Sequence, residues 1–171
     1  MIPSETAKCR AVVAPYCVGN GLDLGSGGDP VIPQAIQIEK LRASFECQNY
    51  HIQYPVQWRG TAEILPFKDS VCDYVFSSHV LEDFKDWMPL LIEWDRVLVR
   101  GGYLIIQIPD HERFRAAVRR GQPDNLDHQH EGRVGELSEH VQRVGNYEVI
   151  RDGFCPDVPG EYNILFVARK R

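Results

Sequence analysis

The stretch Gly21-Leu22-Asp23-Leu24-Gly25-Ser26-Gly27-Gly28-Asp29-Pro30 decides how the 171-residue chain folds. Residues 21–24 form a short apolar run followed by glycines and read as a strand, and GSGGDP is a turn by composition. Glycines let the backbone turn sharply and let a ligand approach the main chain closely. Ala35–Ile38 reads as a second strand ending at Glu39, sixteen positions after Asp23. A carboxylate there can accept hydrogen bonds from both hydroxyls of a ribose. Only six residues lie between Gly28 and Ala35, and two of them are Pro30 and Pro33. Parallel strands usually need a dozen or more connecting residues, most often a helix. No helix fits, so an extended loop is predicted. A pyrophosphate would then lack its favoured helix N-terminus, which disfavours NAD and FAD.

The pattern continues on both sides. Ser4 can cap a helix over about residues 5–14, ended by Pro15. A short helix over Lys40–Gln48, a third strand at Val56–Trp58 and a buried strand at Cys72–Ser77 follow. Trp87, Leu90, Leu91, Trp94, Val97 and Leu98 recur at helical spacing, predicting a helix over 86–99 with Gly101-Gly102 as its stop. Tyr103–Ile108 reads as a strand, 110–121 as a helix and 122–133 as a polar loop. Val134–Val144 reads as a helix stopped by Gly145. Tyr147–Arg151 and Asn163–Ala168 are the final strands, spaced so that an antiparallel ending is allowed. Buried strands alternating with helices imply one α/β domain over residues 1–171, with the sheet covered on both faces. Ligands on such sheets bind at the carboxyl ends of strands, near the switch point.

Bulk properties narrow the class. The net charge of −5 gives no support for binding nucleic acid, whose phosphates attract basic surfaces. Arg113, Arg115, Arg119 and Arg120 can form a local basic face, read here as solvated helix surface. The five cysteines are odd in number and show no CxxC spacing, which argues against a disulfide framework and a zinc site. No apolar run approaches membrane length, and MIPSETAKCR lacks the apolar stretch of a signal peptide. A cytoplasmic protein is expected.

Three blocks carry a family resemblance. GLDLGSGGDP resembles the first motif of class I S-adenosylmethionine (SAM)-dependent methyltransferases. GTAEILPFKDSVCDYVFSSHVLEDF resembles their central block, and LIEWDRVLVRGGYLIIQIPD the block after it. The blocks are correctly ordered and spaced from Gly21 to Asp110. The short link after the first motif is similar to that of a compact subgroup. The resemblance implies a Rossmann-like three-layer sandwich with a mostly parallel seven-stranded sheet and an antiparallel last strand. It also implies SAM as cofactor, S-adenosylhomocysteine as product, and methyl transfer as the reaction.

Residue by residue, the resemblance gives the methionine part of SAM to Asp23, Gly25 and Gly27 and the ribose to Glu39, with Leu24 and Ser26 of the same loop also cofactor-binding. Thr61-Ala62 stands where relatives have Asp-Ala beside the adenine; the hydroxyl accepts a hydrogen bond but adds no charge. Ser77, Ser78 and His79 would line SAM and the acceptor. Asp83 replaces the family's second histidine, and Leu65-Pro66-Phe67 reads as packing.

For O-methylation a base is often needed, and histidine suits that role. His79 is a candidate, with orienting its loop the favoured role. His111, His128 and His130 are others, His128 and His130 being preferred as base. His128-x-His130 with Asp127 and Glu131 can also be read as a metal site, but a solvated loop is the favoured reading and no metal is expected. The expected acceptor is a small molecule or glycan, methylated on oxygen or nitrogen. No (D/N)PPY-like motif follows the fourth strand and no Pro-Cys dipeptide occurs, so a nucleic-acid acceptor is not expected. Thr61, Asp83 and the short chain motivate the alternative, a catalytically weak or inactive partner subunit. A homo-oligomer or a partner protein can complete an acceptor site with so little N-terminal cap.

Overall fold

The computed structural model describes residues 4–39, 58–155 and 161–171. The expected helix at 40–48 and the start of the third strand, Val56 and Gln57, lie outside these. Seven strands form one sheet: β1 (Gly21–Leu24), β2 (Ile36–Glu39), β3 (Trp58–Arg59), β4 (Cys72–Ser78), β5 (Leu98–Pro109), β6 (Tyr147–Phe154) and β7 (Asn163–Lys170). Their order is β3-β2-β1-β4-β5-β7-β6. β1 to β5 pair in parallel, and the last strand, β7, runs antiparallel to both β5 and β6. This is the mostly parallel sheet with antiparallel last strand that was expected.

Both faces are covered because inward residues alternate along each central strand. Val75, Leu104, Ile106, Ile164, Phe166 and Ala168 join one core with the helices α2 (Met88–Val97) and α4 (Glu136–Val144). Tyr74, Phe76, Ile105, Leu165 and Val167 face the other way. There they meet Cys9 and Val13 of α1 (Glu5–Val13) and Val31 and Ala35 of the β1–β2 link. That link contains no helix, as counted from its length, and Val31 is fully buried. The helix α1 together with this apolar loop covers the face. Ser4 caps α1 by accepting from the Ala7 N–H at 3.0 Å.

Several boundaries differ from the sequence reading; β6 runs on to Phe154 and β7 to Lys170, and two other differences have a clear local cause. The helix over 86–99 ends at Val97, and Leu98 has φ −80° and ψ 131°. Leu98 pairs with Cys72 in the sheet, so its burial comes from strand pairing. Gly101-Gly102 therefore does not stop the helix. It lies inside β5, where the register jumps from Cys72↔Leu98 to Tyr74↔Tyr103. A Cβ on Gly102 would lie 2.8 Å from the Asp73 carbonyl oxygen, so the glycine permits close backbone approach at this bulge. The helix predicted over 134–144 starts two residues later, at Glu136, after Gly135 at φ 93°. The remaining helix, α3 (His111–Arg119), follows β5 and is capped by Asp110.

Candidate functional site at the carboxyl edge of the sheet

The carboxyl ends of β1, β2, β4 and β5 bring together residues from distant parts of the chain. On the β1–β2 side, Gly25, Gly27 and Gly28 have φ of 75°, 58° and 81°. Gly25 donates to the Ile38 carbonyl at 2.9 Å, and a Cβ on it would strike Val80 at 2.2 Å. Gly27 faces open space, with nothing within 4 Å of a built Cβ. Glu39 folds back over this loop: its Oε1 accepts from Ser26 Oγ at 2.9 Å and from the Gly27 N–H at 2.8 Å. Ser26 Oγ also contacts Gln37 Oε1 at 2.8 Å. Asp29, at the end of the loop, is held by Ser4 and Arg10 from α1.

Asp23 is completely buried. Its Oδ2 accepts from the Val31 N–H at 2.6 Å, and its Oδ1 has no hydrogen-bond partner. Burial pushes its carboxyl up to about 7; the Val31 hydrogen bond opposes this and the Glu39 charge adds to it. Ser77 and Ser78, on β4 beside β1, are buried, and their hydroxyl oxygens likewise have no partner. Thr61 is exposed. The Ala62 carbonyl accepts from Trp94 Nε1 at 2.8 Å, which ties this segment to the core. Leu65 is buried and Phe67 packs against the same core.

The β4–β5 side is built differently. His79 follows β4 at φ 55°, a strained backbone for a non-glycine residue, and donates its N–H to the Gln107 carbonyl at 3.0 Å. Its Nδ1 lies 2.9 Å from Glu82 Oε1, and its Nε2 lies 3.5 Å from Glu5 Oε2. Burial alone would lower the imidazole pKa. The Glu82 charge and the contacts with both carboxylates outweigh it and push the ring up to about 10. With no ion beside it, the ring therefore carries a proton at neutral pH. Glu5 also accepts from Lys8, Tyr162 and Asn163. Burial raises its pKa, but His79 and Lys8 prevail and hold it well below the usual carboxylate range.

His128 and His130 diverge. The His128 side chain is 4% exposed, with Nδ1 at 3.1 Å from Glu131 Oε1 and Nε2 at 3.7 Å from Glu82 Oε1. His130 stacks on Trp87, ring centroids 4.2 Å apart, and meets Glu136 at 2.7 Å. The two therefore do not form one pair, and Asp127 is exposed. Residues 128–132 do not form a plain solvated loop. The Gln129 and His130 N–H groups donate to the Glu82 carbonyl, and Gly132 donates to Pro109. Glu131 is buried and also binds His111 and Arg115. The basic face on α3 is correspondingly divided. Arg115 pairs with Glu131 and Asp124, and Arg113 lies over the Phe154 ring, while Arg119 and Arg120 stay exposed.

Sequence reading missed Glu5 and Glu82 altogether. Their partners lie up to 158 positions away, in Asn163 for Glu5, and nothing local marks Glu82 as buried.

Residues 22–106 match the family model described as "Methyltransferase domain". No curated protein sequence matches the chain. Among solved structures, a SAM-dependent methyltransferase and possible histamine N-methyltransferase of Thermotoga maritima superposes with TM-score 0.71 at 19% identity. That match covers 98% of this chain and 90% of the other. A SAM-dependent methyltransferase of Archaeoglobus fulgidus gives TM-score 0.69 at 15% identity, covering 96% and 92%. A methyltransferase in complex with the Haloferax volcanii Trm112 activator gives 0.63 at 17%, covering 97% and 90%. Residues 22–106 thus carry the methyltransferase domain of that family model, and the sheet order and these superpositions give the chain the fold of class I SAM-dependent methyltransferases.

Proposed function

We propose that the chain methylates a small-molecule or glycan acceptor, on oxygen or nitrogen, with SAM bound over the β1–β2 loop. One observation carries the reading: Asp23 Oδ1, Ser77 Oγ and Ser78 Oγ are buried without partners at the carboxyl ends of adjacent strands. Unsatisfied buried acceptors are costly and are concentrated where a ligand completes them. The residues fit the cofactor. Asp23 offers an anion to an ammonium group, and the glycines at positive φ leave the backbone open to close approach. Glu39 keeps Oε2 for ribose hydroxyls while Oε1 holds the loop. Of Thr61 and Ala62, the Thr61 hydroxyl and the Ala62 N–H can face the adenine, since the Ala62 carbonyl is engaged by Trp94.

When bound, SAM supplies an already activated methyl group, so placing the acceptor accounts for much of the rate. His79 orients the segment after β4 and is not the base. His128, held between Glu82 and Glu131, and His130, stacked on Trp87, are both committed to local contacts. An acceptor that is nucleophilic without a base, a neutral amine above all, is favoured over an alcohol.

No helix among the described residues is long and apolar enough to cross a membrane; a cytoplasmic location is part of the same proposal. A second reading, a weakly active subunit completed by a partner protein, is supported by exposed Trp58 and Ile64 beside the edge strand β3.

Calorimetric titration with SAM and S-adenosylhomocysteine tests the cofactor site. Micromolar binding lost in Asp23→Ala and Glu39→Ala is the expected result, and no binding by the unaltered chain would overturn it. An amine and alcohol acceptor screen with S-adenosylhomocysteine as readout then separates the two readings: turnover by the chain alone supports catalysis, and turnover only with an added partner supports the subunit.

A further inference from the structure

We infer that His79, Glu82 and His128 form a binding site for one divalent transition-metal ion of zinc's preferences. One donor atom from each of the three lies within 4.8 Å of the others. Glu82 is fully buried, and neither of its carboxylate oxygens makes a hydrogen bond. An ionised carboxylate in that condition needs a cation; the protonated His79 ring, 2.9 Å away, is one, and a metal ion would take over that part as the ring gives up its proton. The spacing suits an ion at the centre. Ligands about 2.0–2.1 Å from a tetrahedral zinc stand roughly 3.3 Å apart. Glu82 Oε1 is 2.9 Å from His79 Nδ1 and 3.7 Å from His128 Nε2, so its two distances bracket that figure.

The surroundings match what metal-bound histidines need. A ligating imidazole usually has its second ring nitrogen on a carboxylate, which fixes the tautomer and raises basicity. His128 has such a partner, with Glu131 Oε1 3.1 Å from its Nδ1, while His79 Nε2 lies 3.5 Å from Glu5 Oε2, an ion-pair distance without a hydrogen bond. The backbone holds the donors in place independently of an ion. Glu82 accepts at its carbonyl from Gln129 and His130, and His79 is fixed at φ 55° by its bond to Gln107. Two imidazoles and a carboxylate are a donor set suited to zinc, with a fourth position left for water or an acceptor oxygen. The ion would clamp residues 128–131 against the segment after β4, at the acceptor side of the proposed SAM site.

The test uses the whole chain and needs neither SAM nor an acceptor. After chelator treatment and desalting, the chain is titrated with Zn²⁺ by calorimetry, and bound metal is counted by plasma mass spectrometry. One equivalent per chain is expected, with affinity at least 100-fold weaker in His128→Gln and in Glu82→Gln. Glu131→Gln, which keeps all three ligands, should weaken binding about 10–100-fold. His140→Ala, outside the cluster, should bind as the unaltered chain does. Co²⁺ provides a readout that does not depend on stability: intense visible bands of a four-coordinate ion are expected, and their absence from His128→Gln. Zinc binding no tighter in the unaltered chain than in folded His128→Gln, or no binding at all, overturns the assignment. Either result leaves the SAM titration untouched, so the two proposals fail separately.

Discussion

The two halves of the sheet's carboxyl edge solve opposite problems. The β1–β2 half is assembled from residues 23–39, close in sequence, and its shape comes from glycine backbone geometry and short-range hydrogen bonds. The β4–β5 half draws Glu5, His79, Glu82, His128 and Glu131 from widely separated segments, and its shape comes from buried charges facing one another. The first half can lose one contact and keep its turn. In the second half each charge is the solvation shell of the next, so removing one strands the others.

That contrast predicts its largest effect at Glu82. Glu82→Ala leaves two imidazoles facing an empty buried space and should lower stability by about 3–5 kcal/mol, the cost of breaking a buried ion pair. Urea unfolding of the metal-free protein measures it. A loss under about 1 kcal/mol would mean that the cluster is solvated and that the two halves do not differ in kind.

At Asp23 the effect should have the opposite sign. Its folded pKa, about 7, lies above the 3.8 of a free carboxyl. The raised value makes its contribution to stability full below about pH 4 and progressively lost as pH rises through 7. Asp23→Asn imitates the protonated acid and keeps an acceptor for the Val31 N–H. The variant should match the unaltered protein near pH 4 and exceed it at pH 8, by on the order of 4 kcal/mol. SAM affinity should move the other way. It should rise between pH 6 and 8 in the unaltered chain and stay low and flat in the variant, because only the ionised carboxylate pairs with the ammonium. Equal affinities at pH 8 would remove Asp23 from the cofactor site.

The glycines give a smaller, graded effect. Gly25→Ala meets both the left-handed backbone penalty and the 2.2 Å clash with Val80, and should cost about 2–3 kcal/mol. Gly27→Ala has the backbone penalty alone, about 1 kcal/mol, but places a methyl where ligand is expected. Thermal denaturation should therefore rank Gly25→Ala as the more damaged, while calorimetry with SAM should find binding lost in Gly27→Ala although it remains folded.

The same division decides what the sequence made legible. The glycine loop, the acid after it and the helix-free link to β2 are contiguous, so counting residues between Gly28 and Ala35 was enough to exclude a crossover helix. The parallel sheet followed from the alternation of strands and helices, and its seven strands with an antiparallel last one from the family resemblance. The end of α2 did not follow. Leu98 satisfies a helical spacing and a strand pairing equally well, and only the partner Cys72 decides between them. Glu82 was illegible for a deeper reason. In Val80-Leu81-Glu82-Asp83-Phe84 it looks like a surface glutamate, and its burial depends on the segment 128–131 folding over it. His128 and His130 were visible as a pair, but their opposite directions are set by Trp87 and Glu131, which lie on different elements.

The smallest predicted effect separates the two tasks assigned to Glu39. Its Oε1 accepts from Ser26 and Gly27 and so braces the loop, while Oε2 is the atom offered to ribose. Glu39→Gln keeps a side-chain oxygen for the bracing contacts, so the unfolding free energy should change by about 1 kcal/mol or less. It also replaces one acceptor by an amide and removes the charge. A hydrogen bond to a charged group contributes about 1 kcal/mol more than a neutral one. SAM affinity should therefore fall about 5–10-fold. Calorimetry on 2′-deoxy and unmodified S-adenosylhomocysteine resolves the cause. If Glu39 holds the ribose, the unaltered chain discriminates between the two ligands and Glu39→Gln does so less. Equal discrimination by both proteins would confine Glu39 to the loop and leave the ribose to other residues of the edge.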